Sequence, residues 1–294
     1  MRLQALIDQN LGAYHDASPL WHKVQEFGAQ GTTYSLSAVG IQSLLGEHDL
    51  AAARLALQEP EPEGALNPGS HALDRAWATM LVAFATEQWD EVIVDDGPIQ
   101  ALFSKYPGLR SYAPVRELPW LALAQARLGN FKAAELLIAQ TPEECDICLR
   151  TRAQLAVMQK QNARADLLFA KAVQAQPEAP FAEADWGAAL LARGDVDGAI
   201  ARLMLASQKG PRFADPLEVW GEALLRKGDS AGAADKFAAA NGLAPQWGRS
   251  HLRLGQALLK LERGEEARKE FALAATLELS ATERAELASL SGSH

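Results

Sequence analysis

An all-α chain assembled from tandem helix-turn-helix units is the fold class that three observations in this sequence predict. The first is a 34-residue period: Gly187, Gly221 and Gly255 recur at that step, as do Ala165, Ala199, Ala233 and Ala267. Phe169, Leu203, Phe237 and Phe271 keep the same register, followed three residues later by Ala172, Ala206, Ala240 and Ala274, while Pro177, Pro211 and Pro245 close three of the units. Columns in register at such a period mark stacked supersecondary units, which bury their apolar surface against neighbours rather than in one globular core. The second observation is composition. Apolar residues are 48% of the chain but aromatics only 7%, and Ala is abundant, which suits close-packed helices better than a sheet of β-branched residues. The third is turn chemistry: Arg193-Gly194-Asp195, Lys227-Gly228-Asp229 and Arg263-Gly264-Glu265 each place Gly where a left-handed residue ends a first helix.

Taken in order, residues 1–31 read as an N-terminal helical segment of one or two helices, and residues 32–141 as irregular hairpins. In that second stretch Leu45-Gly46-Glu47-His48-Asp49 precedes a helix over 51–57, and Glu87-Gln88-Trp89-Asp90 is a weaker turn of the same kind. A helix over 118–127 leads into Leu128-Gly129-Asn130-Phe131 and a second helix. Residues 59–70 hold Pro60, Pro62, Gly64, Pro68 and Gly69 and predict a loop, and Asp95-Asp96-Gly97-Pro98 predicts a break after Trp89. Thr141-Pro142-Glu143-Glu144 has the pattern of a helix start and opens the regular block, residues 142–279, with units at about 146–179, 180–213, 214–247 and 248–279. Ser280-Ala281-Thr282-Glu283 is a second capping box. It opens a C-terminal capping helix in residues 280–294, with Ala281, Ala285, Leu287 and Ala288 toward the stack and Glu283, Arg284 and Glu286 toward water. Seven helical pairs result, three irregular and four regular.

Charge bounds the function. With 28 basic and 37 acidic side chains the net charge is -9, which speaks against a protein that neutralises many phosphates, so nucleic acid is not an expected partner. No apolar run reaches the roughly 20 residues of a membrane span, and Asp8, Gln9 and Asn10 interrupt the N-terminus where a signal peptide would be apolar. The expected setting is cytoplasmic, without a membrane.

The columns and turns over 142–279 resemble the tetratricopeptide repeat (TPR) family, and the resemblance extends more weakly over most of residues 32–290. It implies a right-handed superhelical solenoid whose first helices line a concave groove for peptides or partner proteins. The phrases over 145–150 and 213–221 are also similar to C-terminal TPR regions of larger bacterial signalling proteins. The TPR proteins that clamp a terminal carboxylate use Lys and Asn on consecutive first helices. Here the matching places hold Arg150 and Gln154, then Asp185, then Asp215, so a carboxylate clamp is not expected.

Candidate chemistry is sparse. Cys145-x-x-Cys148 has the spacing of a redox motif at a helix start, where a thiolate is stabilised. Zinc would need two further ligands, and His71 and His251 are distant in sequence. Without a βαβ context the pair reads as structural thiols, with a thiol-based redox or metal-linked regulator as the alternative. Ser70, His71 and Asp74 resemble a triad only on paper, and neither a phosphate-cradling glycine loop nor a nucleophile elbow is found. Trp186 and Trp220, each preceding a repeat glycine, read as core.

One polar constellation stands out, read either as a solvated acidic face or as part of a binding groove. Asp215, Glu218 and Glu222 share one face of a first helix, opposite Trp220 and Leu224, and replacing all three by Ala is expected to leave the fold intact. The expected groove is mixed in charge: Arg150 and Gln154, then Asp215, Glu218 and Glu222, then Arg249 and Gln256. The sequence thus predicts a non-enzymatic scaffold without cofactor, binding a protein or peptide that carries basic side chains.

Overall fold

The computed structural model describes residues 8–9, 11–28, 38–58 and 68–291. The remaining residues, which include most of the expected 59–70 loop, lie outside the described ones. Among the described residues there is no strand, and the architecture is an all-α array of TPR-type hairpins. The described residues divide by packing into two compact units, one within 16–28, 38–45, 52–58 and 68–178, the other within 8–9, 11–15, 46–51 and 179–291.

After α1 (Tyr14–Gly28), the described residues form seven hairpins. These are α2 (Ala38–Gly46) with α3 (Leu50–Gln58), α4 (Pro68–Ala85) with α5 (Trp89–Val94), α8 (Leu118–Arg127) with α9 (Phe131–Ile138), and α10 (Asp146–Met158) with α11 (Asn162–Ala175). Then come α12 (Phe181–Ala192) with α13 (Val196–Lys209), α14 (Ala214–Lys227) with α15 (Ser230–Leu243), and α16 (Gly248–Lys260) with α17 (Gly264–Thr276), before the last helix α18 (Ala281–Ser291). Between the second and third pairs the chain inserts α6 (Asp96–Lys105), a 3-10 turn (Pro107–Tyr112) and α7 (Ala113–Arg116), which the sequence reading did not foresee. Asp95 does break the helix after Trp89, but Gly97 and Pro98 then sit in the first turn of α6, where Pro is tolerated.

Each hairpin turns on one residue of positive φ: His48, Glu87, Gly129, Lys160, Gly194, Gly228 and Glu262. From Lys160 onward these are 34 residues apart. Register therefore overrides composition in the last turn. Glu262 takes the left-handed position (φ 60°) and Gly264, expected there, becomes the first residue of α17. Asp195 and Asp229 cap the following helices, their carboxylates accepting from the Gly198 and Gly232 amides at 3.0 and 2.8 Å.

Three further expectations are corrected. Helix α4 already begins at Pro68, so Pro68, Gly69 and Ser70 are helix rather than loop. Thr141 does not cap a helix: its hydroxyl donates to the Ile138 carbonyl at 2.7 Å, and α10 starts instead from Cys145, whose sulfur accepts from the Cys148 amide. In the capping helix the box forms as expected, Ser280 N–H donating to Glu283 at 2.9 Å and Glu283 N–H to Ser280 Oγ at 3.2 Å. Leu287 and Leu290 pack onto the core of α16 and α17, but Ala281, Ala285 and Ala288 are exposed; Arg284 is exposed as expected, whereas Glu283 is turned toward Arg249 and the partly exposed Glu286 pairs with Arg253.

The repeat columns are the core. Phe169, Leu203 and Phe237 are completely buried, as are the four Ala that follow the column. The column glycines explain how: a Cβ on Gly187 would lie 2.6 Å from Leu203 Cγ, one on Gly221 2.6 Å from Phe237 Cε1, and one on Gly255 would collide with the Phe271 ring. The two helices of these three hairpins approach closely because one side offers only hydrogen where the other inserts a large apolar side chain. Trp186 and Trp220 are half-buried and pack against the core formed by Leu190, Leu191, Ala199, Leu203 and Ala223, each roofed by a cation from the second helix, Arg202 at 3.6 Å and Lys236 at 3.8 Å from the ring centroid.

A substitution at the crossing isolates this constraint. Gly221→Ala is expected to cost about 1–3 kcal/mol through overpacking against Phe237. Combining it with Phe237→Ala, which removes the ring that the added Cβ would meet, should cost less than the sum of the two single changes in urea unfolding. Additive losses would place the strain elsewhere.

Candidate functional site

The acidic helix α14 carries the strongest polar constellation of the second unit. Pro216 and the helix start aim Asp215, Glu218 and Glu222 along one face, but that face is not uniformly solvated. Glu218 is 1% exposed and is among the most buried side chains of α14, while Trp220 and Leu224 are only half-buried. A lone carboxylate at such depth is costly. Its compensation comes from α16, where Arg249 donates from Nε to Glu218 Oε1 at 3.0 Å and from a terminal nitrogen to Glu222 Oε1 at 2.6 Å.

The network continues into the capping helix. Glu283 lies 3.8 Å from Arg249 Nε, and Arg253 reaches Glu222 at 3.5 Å and both oxygens of Glu286 at 2.9 and 3.0 Å. Gln256 donates to Glu286 at 2.6 Å. Four carboxylates thus surround two guanidiniums, tying α14, α16 and α18 together. Burial raises the Glu218 carboxyl, against the pull of Arg249 and with a push from Glu222. Burial opposes charge on Arg249 too, but Glu218 and Glu222 outweigh it and hold the guanidinium protonated.

Asp215 differs. It is 41% exposed and meets neither arginine in this network; its Oδ1 is 3.0 Å from Nε2 of His48, whose ring is stacked on Trp247. Of the remaining expected site residues, Arg150 and Gln154 lie on α10 in the first unit, where Arg150 is 3.3 Å from Asp146. Asp215, Glu218, Glu222, Arg249 and Gln256 are brought together in the second unit. Sequence reasoning missed Arg253, Glu283, Glu286, His48 and Trp247. Only the spacing of Arg249 and Arg253 on one helical face, matched by Glu283 and Glu286, carried a signal for the first three.

The first unit holds two other groups with distinctive chemistry. Cys145 and Cys148 are joined as a disulfide across the first turn of α10, with Cα atoms 5.2 Å apart, which corrects the reading as structural thiols. Helical spacing at an N-cap brings both Cβ atoms to one side within the distance a bridge requires. Glu117, 2% exposed, shares the amide of Gln100 with Asp96, Nε2 lying 2.8 Å from Glu117 and 3.1 Å from Asp96. Burial, then the neighbouring Asp96, pushes the Glu117 carboxyl up to about 8. Among the described residues no three His, Cys, Asp or Glu side chains are placed to hold a metal ion, and no helix is long and apolar enough to cross a membrane.

No family model and no curated protein matches the chain. Solved TPR proteins are similar to it in part. A structure of PilF from Pseudomonas aeruginosa has 20% identity over 56% of this chain and 78% of its own, with a TM-score of 0.49. MamA AMB-1 has 21% identity over 55% and 96%, with a TM-score of 0.41. MamA from Desulfovibrio magneticus RS-1 has 18% identity over 54% and 92%, with a TM-score of 0.44. The fold itself rests on the repeat geometry described above.

Two outcomes follow from the buried acids. Because Arg249 is partly exposed, Glu218→Ala should cost roughly 2–3 kcal/mol, somewhat less than breaking a fully buried pair. The triple Ala replacement is therefore not silent, and thermal melts that are unchanged would refute the buried-pair account. For Glu117 the folded carboxyl sits above its ordinary value of 4.5. Its contribution is fully present below about 4.5 and is lost as pH rises toward about 8. Glu117→Gln should flatten the stability profile over that window and be the more stable form at pH 9, as urea midpoints across pH would show.

Proposed function

We propose that this chain is a non-enzymatic interaction scaffold that docks a protein segment along the first-helix face of the second unit, with a basic side chain of the partner meeting Asp215. The supporting observation is the unequal state of the three acids. Glu218 and Glu222 are paired with Arg249 and Arg253, whereas Asp215 is 41% exposed and meets the imidazole of His48, itself stacked on the Trp247 indole and partly exposed. Glu218, Glu222, Arg249 and Gln256 are proposed as further contacts on the same unit, and Arg150 and Gln154 as a separate contact on the first unit.

Exposed charges of this kind set orientation and on-rate more than affinity, and they are screened within about 8–10 Å at physiological ionic strength. With the chain as bait and a crosslinkable surface beside Asp215, a captured partner should bind roughly tenfold more weakly to Asp215→Lys, a loss of about 1.4 kcal/mol. Its wild-type affinity should fall with salt. A partner crosslinked at this face yet indifferent to the charge reversal would sink the reading.

The disulfide favours a second reading, a thiol-based regulator. A bridge closing only one helical turn constrains little chain, so its value to folding is small. Reduction by a dithiol would break the Cys145–Cys148 bond, place two protons and two electrons on its sulfurs and leave the donor oxidised to a disulfide. If this governs binding, reduction should change wild-type affinity for a partner and leave the Cys145→Ser/Cys148→Ser variant unmoved. Equal responses would leave the scaffold reading alone.

A further inference from the structure

The Asp215 site is already filled by the chain itself. His48 belongs to the same compact unit as Asp215 and Trp247, although it is distant from both in sequence. Its imidazole lies on the Trp247 indole with centroids 3.6 Å apart and planes 4° apart, and its Nε2 is 3.0 Å from Asp215 Oδ1. Two neutral aromatic rings avoid this face-to-face overlap because their quadrupoles repel, and they prefer offset or edge-on contact. A planar cation has the opposite preference: it is drawn to the indole face, and a carboxylate at its edge takes its N–H. The pair of Trp247 and Asp215 thus has the chemistry of a receptor for a flat cationic side chain.

The turn that delivers His48 is built to reach this place. His48 is the left-handed residue of the α2–α3 turn, at φ 58°. The neighbouring residues are clamped from the other side: the Tyr14 ring packs where a Cβ on Gly46 would stand, His15 Nδ1 is 3.1 Å from Glu47, and Tyr14 meets Phe213 edge to face at 6.1 Å. Gly12, at φ +74°, lies so close to Phe213 that a Cβ would be 2.6 Å from it. Two segments from the N-terminal part of the chain, 11–15 and 46–48, therefore cover the start of α14 and the residue preceding α16. His48 and Asp215 keep 24% and 41% of their side-chain surface, so the contact is open to competition rather than sealed in a core.

We infer that Trp247 and Asp215 recognise a guanidinium or imidazolium side chain of the partner segment, and that His48 occupies this receptor in cis as a built-in competitor. The inference rests on the scaffold reading for its biological use, but the receptor and its occupancy are testable without the partner. Arginine is the preferred trans ligand, since its guanidinium stacks on an indole and donates to a carboxylate at once, which the ammonium of Lys does not do.

The test uses the full chain labelled at the tryptophan indole nitrogens, with the Trp247 signal assigned through Trp247→Phe. The probes are acetyl-Gly-Arg-Gly-amide and its Lys and Gln counterparts. His48→Gly keeps the left-handed backbone without a side chain, so the turn is retained while the receptor is emptied. The Arg peptide should move the Trp247 indole signal of His48→Gly at least threefold more tightly than that of wild type, with Lys weaker and Gln inert. Asp215→Asn should abolish the gain, and His48→Arg should bind the peptide more weakly than wild type. Equal affinity in wild type and His48→Gly, or no shift of Trp247 in either, overturns the inference. Failure of the scaffold reading looks different: the peptide gain persists in His48→Gly while charge reversal at Asp215 leaves a partner crosslinked to this face unaffected.

Discussion

Three of the four units of the repeat block depend on one contact, the insertion of a large apolar side chain from a second helix onto a glycine of the first. Phe237 reaches the backbone of Gly221, and Leu203 that of Gly187. At these two crossings an added Cβ would stand 2.6 Å from the facing side chain, whereas the first unit carries Ala153 at the same register with Phe169 still fully buried. Because the contact recurs at a fixed sequence interval, it also fixes where each turn falls. That is why Glu262 accepts a left-handed backbone while Gly264, two residues on, goes unused for that purpose.

The polar chemistry is laid over this frame at a cost. Helix α14 could have buried Trp220 outright and left its acids in water. Instead the rotation imposed by Gly221 turns Glu218 inward, and the desolvation of that carboxylate is offset by Arg249. Arginine suits the role because its planar fork spans two acids at once, as its contacts with Glu218 and Glu222 show. The capping helix completes the arrangement: Leu287 closes the apolar end while Glu283 and Glu286 meet the arginines. Apolar closure and charge compensation are thus performed by one face of the helix, on which Glu283, Glu286, Leu287 and Leu290 fall at i, i+3, i+4 and i+7.

This neutralisation decides where a partner can act. A cation approaching Glu218 or Glu222 must compete with a guanidinium in place, at short range and partly out of water. Asp215 presents no such barrier beyond the imidazole of His48, which is held by an exposed pair and a stacked ring. Such contacts are individually weak and exchange readily, and that weakness is what lets a self-contact regulate rather than block.

The sequence by itself determined the helical class, the hairpin repeat, its register and the residues of its core, because these depend on local periodicity and on columns that repeat whatever the surroundings. Gly194 and Gly228 were legible as turn residues, and Ser280 with Glu283 as a capping box, for the same reason: each acts within a few residues of itself. The sequence also brought out Asp215, Glu218 and Glu222 as one face, yet not which of them is buried, since that depends on how α14 is rotated against α15 and α16. The insert from α6 to α7, the bridge between Cys145 and Cys148 and the shared amide of Gln100 had no periodic signature to announce them. Only the tertiary structure decided the site itself, because His48 is 167 residues from Asp215 and nothing in its local sequence requires it to meet Asp215 and Trp247.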